Sequence, residues 1–342
     1  MSAAPLVEPT PGALMQSEAS EAPSVFAATA SLDHSAAVGS LCLSDKSAIY
    51  TVARGSSDAA ANILSYEIMR ETGIPTTSLP PSVFSLGDGV NLSDAAVMVI
   101  SQSGASSDLV ASARGAVQNG ACVTAITNKP GSAIEEVAQA TLPIGAGPEL
   151  AVPATKSVIG SVAAGMALLA AIKPDYRARA MASAAQVGAL DGKTHPRSEA
   201  LRHALLRAQH VYVIGRDTGY GAAQEIALKL KECCALHAEA YSSSEVLHSP
   251  LQLVTKPLTI LMLDTEAAQT QDSMNVAQAR FEQAGGTVLR VRPSDIGATD
   301  LTPAAAAAVL LHIMYPVILS AALALGFDPD RPDTLAKETL TT

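Results

Sequence analysis

Glu225, Lys229 and Glu232 stand four and three residues apart in a stretch rich in Ala, Leu, Glu and Lys that begins at Gly221. That composition predicts a helix. At about 100° per residue the three side chains fall within roughly 60° of one another, an acid–base–acid stripe on one face. Ile226, Leu230, Cys233 and Cys234 lie on another side, where they can be buried. The chain then turns polar, through Ser242-Ser243-Ser244-Glu245, and reaches His248-Ser249-Pro250. A lysine, two glutamates and a loop histidine make a compact set of proton-transfer groups. The same spacing also fits an ordinary Glu–Lys pair on a solvated face, with an idle histidine.

A second constellation bears on the choice between these readings. Ser101-Gln102-Ser103-Gly104-Ala105-Ser106 follows an apolar run and precedes a helical one. It offers hydroxyls, an amide and free backbone N–H groups at a helix N-terminus, which suits a phosphate monoester. It has neither the lysine of a Walker loop nor the spacing of a dinucleotide fingerprint. Simple N-capping by serine is the alternative. Arg54-Gly55-Ser56-Ser57 adds hydroxyls at the end of a neighbouring strand. Phosphate binders beside Lys, Glu and His point to proton movement on a sugar phosphate. In such chemistry a Glu shifts the proton between C1 and C2, a Lys steadies the enediolate oxygen or forms an imine, and a His opens the ring.

The elements that must carry these groups repeat. Buried strands are expected at 49–53, 96–100 and 122–126, with a weaker one at 140–144. Helices are expected at 59–72, from the serine loop to Asn119, and at 154–172. The second half repeats the start: Tyr50-Thr-Val-Ala-Arg54 aligns with Tyr212-Val-Ile-Gly-Arg216 at an offset of 162. Further strands at 258–263 and 288–291 flank a helix at 273–284, and a long apolar helix at 304–325 matches 154–172. Strand–turn–helix repetition implies two tandem α/β domains, each a parallel sheet with helices on both faces, a Rossmann-like three-layer sandwich. We expect a lead-in over 1–36 that is extended apart from a helical piece at 14–22. The first domain is expected at 37–185, the second at 195–328, and a tail closing over the site at 329–342.

The totals bound the function. The 342 residues are 48% apolar and carry a net charge of −10. An acidic surface repels a phosphate backbone, which argues against nucleic acid. Three per cent aromatic residues and no Trp argue against a polymeric carbohydrate. Cys42, Cys122, Cys233 and Cys234 have no ligand spacing and read as reduced core residues; the seven histidines show no metal pattern. No metal or cofactor is expected. The first basic residue is Lys46, so no signal peptide is expected and a cytoplasmic location is. The apolar run 304–326 is long enough to span a bilayer. It contains His312 and Pro316, lacks basic flanks and precedes Asp328 and Asp330, and so reads as a buried core helix, with no membrane partner.

Six motifs in order resemble the isomerase half of glutamine–fructose-6-phosphate aminotransferase, a tandem pair of sugar isomerase (SIS) domains. They are Met15-Gln-Ser-Glu-Ala-Ser-Glu-Ala-Pro23, the Ser101–Ser106 loop, Glu149-Leu-Ala-Val-Pro-Ala-Thr-Lys156, the ALKLKE run ending at Glu232, HAEAY with the Glu245-x-x-His248-x-Pro250 loop, and Pro332-Asp-Thr-Leu-Ala-Lys337. The resemblance implies that Ser57, Ser101, Gln102, Ser103 and Ser106 bind phosphate and that Val152 and Ala336 touch the sugar through backbone groups. It implies Glu232 as the C1/C2 base, Lys229 as its oxyanion partner and His248 as the ring opener. His248 would reach in from a neighbouring subunit, so a homodimer is expected. Lys337 would meet the C2 carbonyl or amine, with an imine as one form of that contact. Ala105, Ala154, Leu247, Ser249 and the Ser82-Val83-Phe84 triplet depart from the family pattern, which bears on the exact substrate. With no glutaminase segment in the sequence, the expected reaction is conversion of glucosamine 6-phosphate to fructose 6-phosphate and ammonia. A plain phosphosugar isomerase and a fructosamine-phosphate deglycase use the same groups. A non-catalytic sugar-phosphate sensor would not need the Lys229, Glu232, His248 and Lys337 set.

Overall fold

The computed structural model describes residues 10–35, 38–41 and 46–337. Its helices are α1 (Ala13–Ala30), α2 (Gly55–Thr72), α3 (Ser82–Ser85), α4 (Ser107–Gln118), α5 (Lys156–Ile172), α6 (Pro174–Gly188), α7 (Ser198–Arg207), α8 (Thr218–Cys234), α9 (Gln271–Gln283) and α10 (Pro303–Ala324). Its strands are β1 (Ala48–Val52), β2 (Thr76–Ser78), β3 (Ala95–Ser101), β4 (Cys122–Thr127), β5 (Ala140–Pro143), β6 (His210–Gly215), β7 (His237–Ser242), β8 (Thr259–Leu263) and β9 (Thr287–Val291).

Two parallel sheets form, in the orders β2-β1-β3-β4-β5 and β7-β6-β8-β9. β3, β4 and β8 are continuous apolar runs because both their faces are covered. One hydrophobic cluster joins the facing sides of the sheets through α1, α2, α5, α6, α8 and α10. Two smaller clusters lie on the outer faces, one under α3 and α4 and one under α9. The expected pair of helix-flanked parallel sheets is therefore present, and a shared helical layer binds the halves together. α10 is apolar enough to cross a membrane by length and composition, yet it packs on α8, α7, α1 and α5 as a core helix. Cys122, Cys233 and Cys234 are buried, while Cys42 lies outside the described residues.

Two stretches differ from expectation. The helical piece expected at 14–22 lies within a longer helix, the 18-residue α1, which runs on through Pro23 where extended chain was expected and buries Met15, Ala22 and Phe26 against the core. Its first turn is capped from the other end of the chain. The backbone N–H groups of Leu14 and Met15 donate to the Asp330 carboxylate at 2.8 and 2.9 Å, and Gly12 donates to Asp328 at 2.8 Å. The polar run after Cys234, read as loop, begins as the edge strand β7, paired in parallel with β6.

The repeated strand–helix units, β1–α2 and β6–α8, meet through their helices, which pack antiparallel. At one end Lys229 of α8 donates to Ser56 of α2, and at the other Arg70 of α2 pairs with Asp217, the N-cap of α8. Midway, a Cβ on Gly221 would sit 2.7 Å from the Ile63 nitrogen and 2.9 Å from the Ala59 oxygen, so only glycine allows this approach. Arg70 is backed by Glu67, which also accepts from Tyr176 at 3.0 Å.

Burial pushes the Glu67 carboxyl from 4.5 up to about 7, with Tyr176 and Arg70 offsetting only part of that rise. The folded state therefore holds this proton more tightly than the unfolded chain. Its stabilising contribution is complete below pH 4.5 and is lost as pH rises through about 7. Glu67→Gln should remove this slope. In denaturant unfolding at a series of pH values, wild-type stability should fall relative to the variant by up to roughly 3 kcal/mol across that window. Parallel curves would contradict the assignment.

Candidate active site

In sheets of this type ligands gather past the C-terminal strand ends, where the strand order reverses. In the first sheet that point lies between β1 and β3. The loops leaving these strands are Arg54–Ser57 and Ser101–Ser106, and they open into the N-termini of α2 and α4. A cleft of about 340 Å³ sits there. Two helix N-termini and a row of hydroxyls make it an anion cradle without a large net positive charge. Arg54 lies at its edge, its Nε 2.9 Å from the buried Asp108 carboxylate.

The serine loop is held in shape by its own atoms. Gly104 donates to Ser101 Oγ at 3.2 Å and Ala105 to Ser103 Oγ at 3.3 Å. Gly104 has φ +61°, and a Cβ there would lie 2.2 Å from Ser132 Oγ, so the turn requires glycine. Ser106 is the N-cap of α4 but does not cap it with its side chain.

The opposite wall comes from α8. Lys229 is fully buried. Its Nζ lies 2.8 Å from Glu232 Oε2, 2.8 Å from Ser56 Oγ and 3.1 Å from Glu225 Oε1. Burial disfavours the ammonium, but Glu225 and Glu232 outweigh it and hold the lysine above its ordinary range. Lys229 is therefore a fixed cationic donor rather than a free amine. Glu232 is partly exposed and faces the cleft. Glu225 is wholly buried; burial pushes its carboxyl up to about 7 against the pull of Lys229. Its Oε1 also accepts from Tyr315 of α10 at 3.2 Å.

The third wall is built by parts far apart in sequence. Lys337 donates to the Ala151 carbonyl at 2.6 Å and reaches Glu149 Oε2 at 3.5 Å. Glu149 in turn accepts from the backbone N–H of Thr155 and Ser157, both at 3.0 Å, which fixes the start of α5. From α1, Glu18 accepts from the backbone of Leu150 and Ala151, and Glu21 pairs with Lys156 at 2.6 Å. So α1 holds both the tail, through Asp328 and Asp330, and the loop that presents Val152.

Ser57, Ser101, Gln102, Ser103, Ser106, Val152, Lys229, Glu232, Ala336 and Lys337 all line this one cleft. His248 does not; it is exposed between two short 3₁₀ turns outside it. Ser56 was legible in the sequence only as one of the loop hydroxyls, not as the Lys229 partner on α2, and the supporting roles of Glu18, Glu21 and Glu149 were not legible. The glutamates did lie within the first and third motifs, so their spacing was the available signal.

Parallel sheets with a serine-lined cradle at the switch point, faced by a buried Lys–Glu pair, define the chain as an α/β enzyme of the sugar isomerase type. A family model for the SIS domain matches residues 42–171 and 204–292, and the chain belongs to that family. A glutamine–fructose-6-phosphate aminotransferase from Mycobacterium tuberculosis is 30% identical over 327 residues, covering 84% of this chain and 50% of that protein. The chain thus spans about half the length of the curated relatives it matches. Among solved structures, a proposed phosphosugar isomerase from Silicibacter pomeroyi DSS-3 is 32% identical with a TM-score of 0.80, covering 93% of this chain and 99% of that one. A glucosamine-6-phosphate deaminase from Thermotoga maritima shares the fold at 19% identity and a TM-score of 0.74, covering 96% of this chain and 100% of that one.

Removing the cation should expose the energetics of the site. Lys229→Met leaves buried Glu225 without its counter-charge and should cost about 3–5 kcal/mol in urea unfolding. Adding Glu225→Gln should recover a large part of that loss. Additive losses in the double variant would show that the two groups do not compensate each other.

Proposed function

We propose that the chain is a phosphosugar aldose–ketose isomerase whose preferred reaction converts glucosamine 6-phosphate and water to fructose 6-phosphate and ammonia. The observation that carries this reading is the convergence of the serine cradle, the cationic Lys229–Glu232 pair and Lys337 on one cleft. The names of the Mycobacterium and Thermotoga relatives favour an amino-sugar phosphate over a plain one.

In this reading the phosphate rests on Ser57, Ser101, Gln102, Ser103 and Ser106 at the two helix N-termini. Backbone groups of Val152 and Ala336 orient the sugar. Glu232 takes the C2 proton of the open-chain aldehyde and returns it to C1. Lys229, cationic and already hydrogen-bonded, stabilises the oxygen charge that develops at C1. The product is a C2 imine; water adds to C2, and the C–N bond breaks to release ammonia. Lys337 faces the C2 substituent. Ring opening falls to His248, which lies outside the cleft of its own chain, so the reading includes a cytoplasmic homodimer in which each copy completes the other's site.

An assay panel tests this. Glucosamine 6-phosphate, N-acetylglucosamine 6-phosphate, fructose 6-phosphate and fructosamine phosphates are followed for ammonia release and ketose formation. Ammonia and fructose 6-phosphate should appear from glucosamine 6-phosphate, and Glu232→Gln should lower kcat by at least ~10³-fold with KM little changed. Ketose formation without ammonia would replace the deaminase reading with the plain isomerase. Full activity of Glu232→Gln would remove that residue from the mechanism.

A further inference from the structure

Tyr315 is a fully buried tyrosine in α10, a helix built almost entirely of Ala, Val, Leu and Ile. A phenylalanine would fill the same space. A buried hydroxyl is unfavourable without a partner, so the phenol oxygen calls for an explanation. Its partner is Glu225 Oε1 at 3.2 Å. That same oxygen lies 3.1 Å from Lys229 Nζ, and Lys229 Nζ lies 2.8 Å from Glu232 Oε2. The other Glu225 oxygen has no hydrogen-bond partner among the described residues. A single file of contacts thus runs from α10, through α8, to the carboxylate that faces the cleft.

We infer that Tyr315 is a positioning residue for the proton-transfer pair: its buried phenol donates to Glu225 Oε1 and, by keeping that carboxylate charged, holds the Lys229 ammonium between Glu225 and Glu232. The inference rests on the reading above that Lys229 and Glu232 move the sugar proton. Tyr315 touches neither the cleft nor the phosphate cradle; it acts only through Glu225.

The groups facing Glu225 can be named from each element around it. Lys229 and Glu232 come from its own helix, Ser56 from α2 and Tyr315 from α10, with Glu149 on the loop before α5 close enough to act on Tyr315. Burial first, then Glu225, keep the phenol well above its ordinary range, so it remains a donor at any working pH. A donor to a carboxylate favours the charged form. Without it, Glu225 takes up a proton more readily. A neutral Glu225 no longer balances Lys229, which then rests on Glu232 alone.

The test is Tyr315→Phe, with Tyr315→Gln as the variant that keeps a donor. The first readout does not need turnover. The Glu225 carboxyl is followed through pH by infrared difference spectroscopy and assigned by its loss in Glu225→Gln. Its midpoint should rise by about one unit in Tyr315→Phe and return at least halfway in Tyr315→Gln. The second readout is the pH profile on glucosamine 6-phosphate. The acidic limb of kcat should shift in the same direction, with kcat at pH 7 lowered ~5–10-fold and KM within about twofold, because the cradle is untouched. An unchanged Glu225 midpoint in folded Tyr315→Phe would overturn the inference. Absence of turnover in the wild type would instead refute the proposed function and leave the midpoint as the deciding measurement.

Discussion

A lysine ammonium taken out of water is stable only when carboxylates and hydrogen bonds replace the solvent it has lost. Lys229 has that replacement: Glu225 behind it, Glu232 in front and the Ser56 hydroxyl from the other half of the molecule. Ser56 stands in the first turn of α2, next to Ser57, and both line the cleft. One buried cation therefore ties α8 of the second half to the serine-lined loops of the first. The rest of the architecture maintains that contact. Gly221 lets α2 and α8 touch backbone to backbone, and Arg70 with Asp217 fixes the far end of the pair.

The helix α1 has a comparable role on the opposite wall. Its N-terminus is capped by Asp328 and Asp330 of the tail, and its Glu18 and Glu21 hold the loop from Glu149 to Lys156. The tail also carries Lys337, which closes the ring of contacts on Ala151 and Glu149. Groups separated by more than three hundred residues in sequence thus share one scaffold. A cleft assembled from so many segments can keep its strand-end loops rigid while other loops, such as the one before α5, are free to vary.

Much of this was legible in the sequence, for physical reasons. Strands buried on both faces write themselves as uninterrupted apolar runs, so β3, β4 and β8 stood out, as did the core helices α5 and α10. The serine loop and the α8 stripe were legible because hydroxyls before a helix and acids spaced around a lysine have few other uses in combination. Other features left no such mark. The edge strands β2 and β7 are short and largely polar, and β7 reads HAEAYS, which looks like a loop until β6 pairs with it. Glu225 and Lys229 at i,i+4 spacing look identical on a solvated face and in a core; only the packing of α10 and α2 shows that they are buried. The α1 helix carries Pro23 and many small residues, so local propensity understated its length and tertiary contacts decided it.

The central claim is that the two halves make a single site, with phosphate on the first and proton transfer on the second. The most direct measurement is a crystal structure of the chain with fructose 6-phosphate bound. The account predicts the phosphate against Ser57 and the Ser101–Ser106 loop, with the C1–C2 edge within hydrogen-bond reach of Glu232. A phosphate seated elsewhere, or a sugar whose C1 and C2 face away from α8, would contradict it.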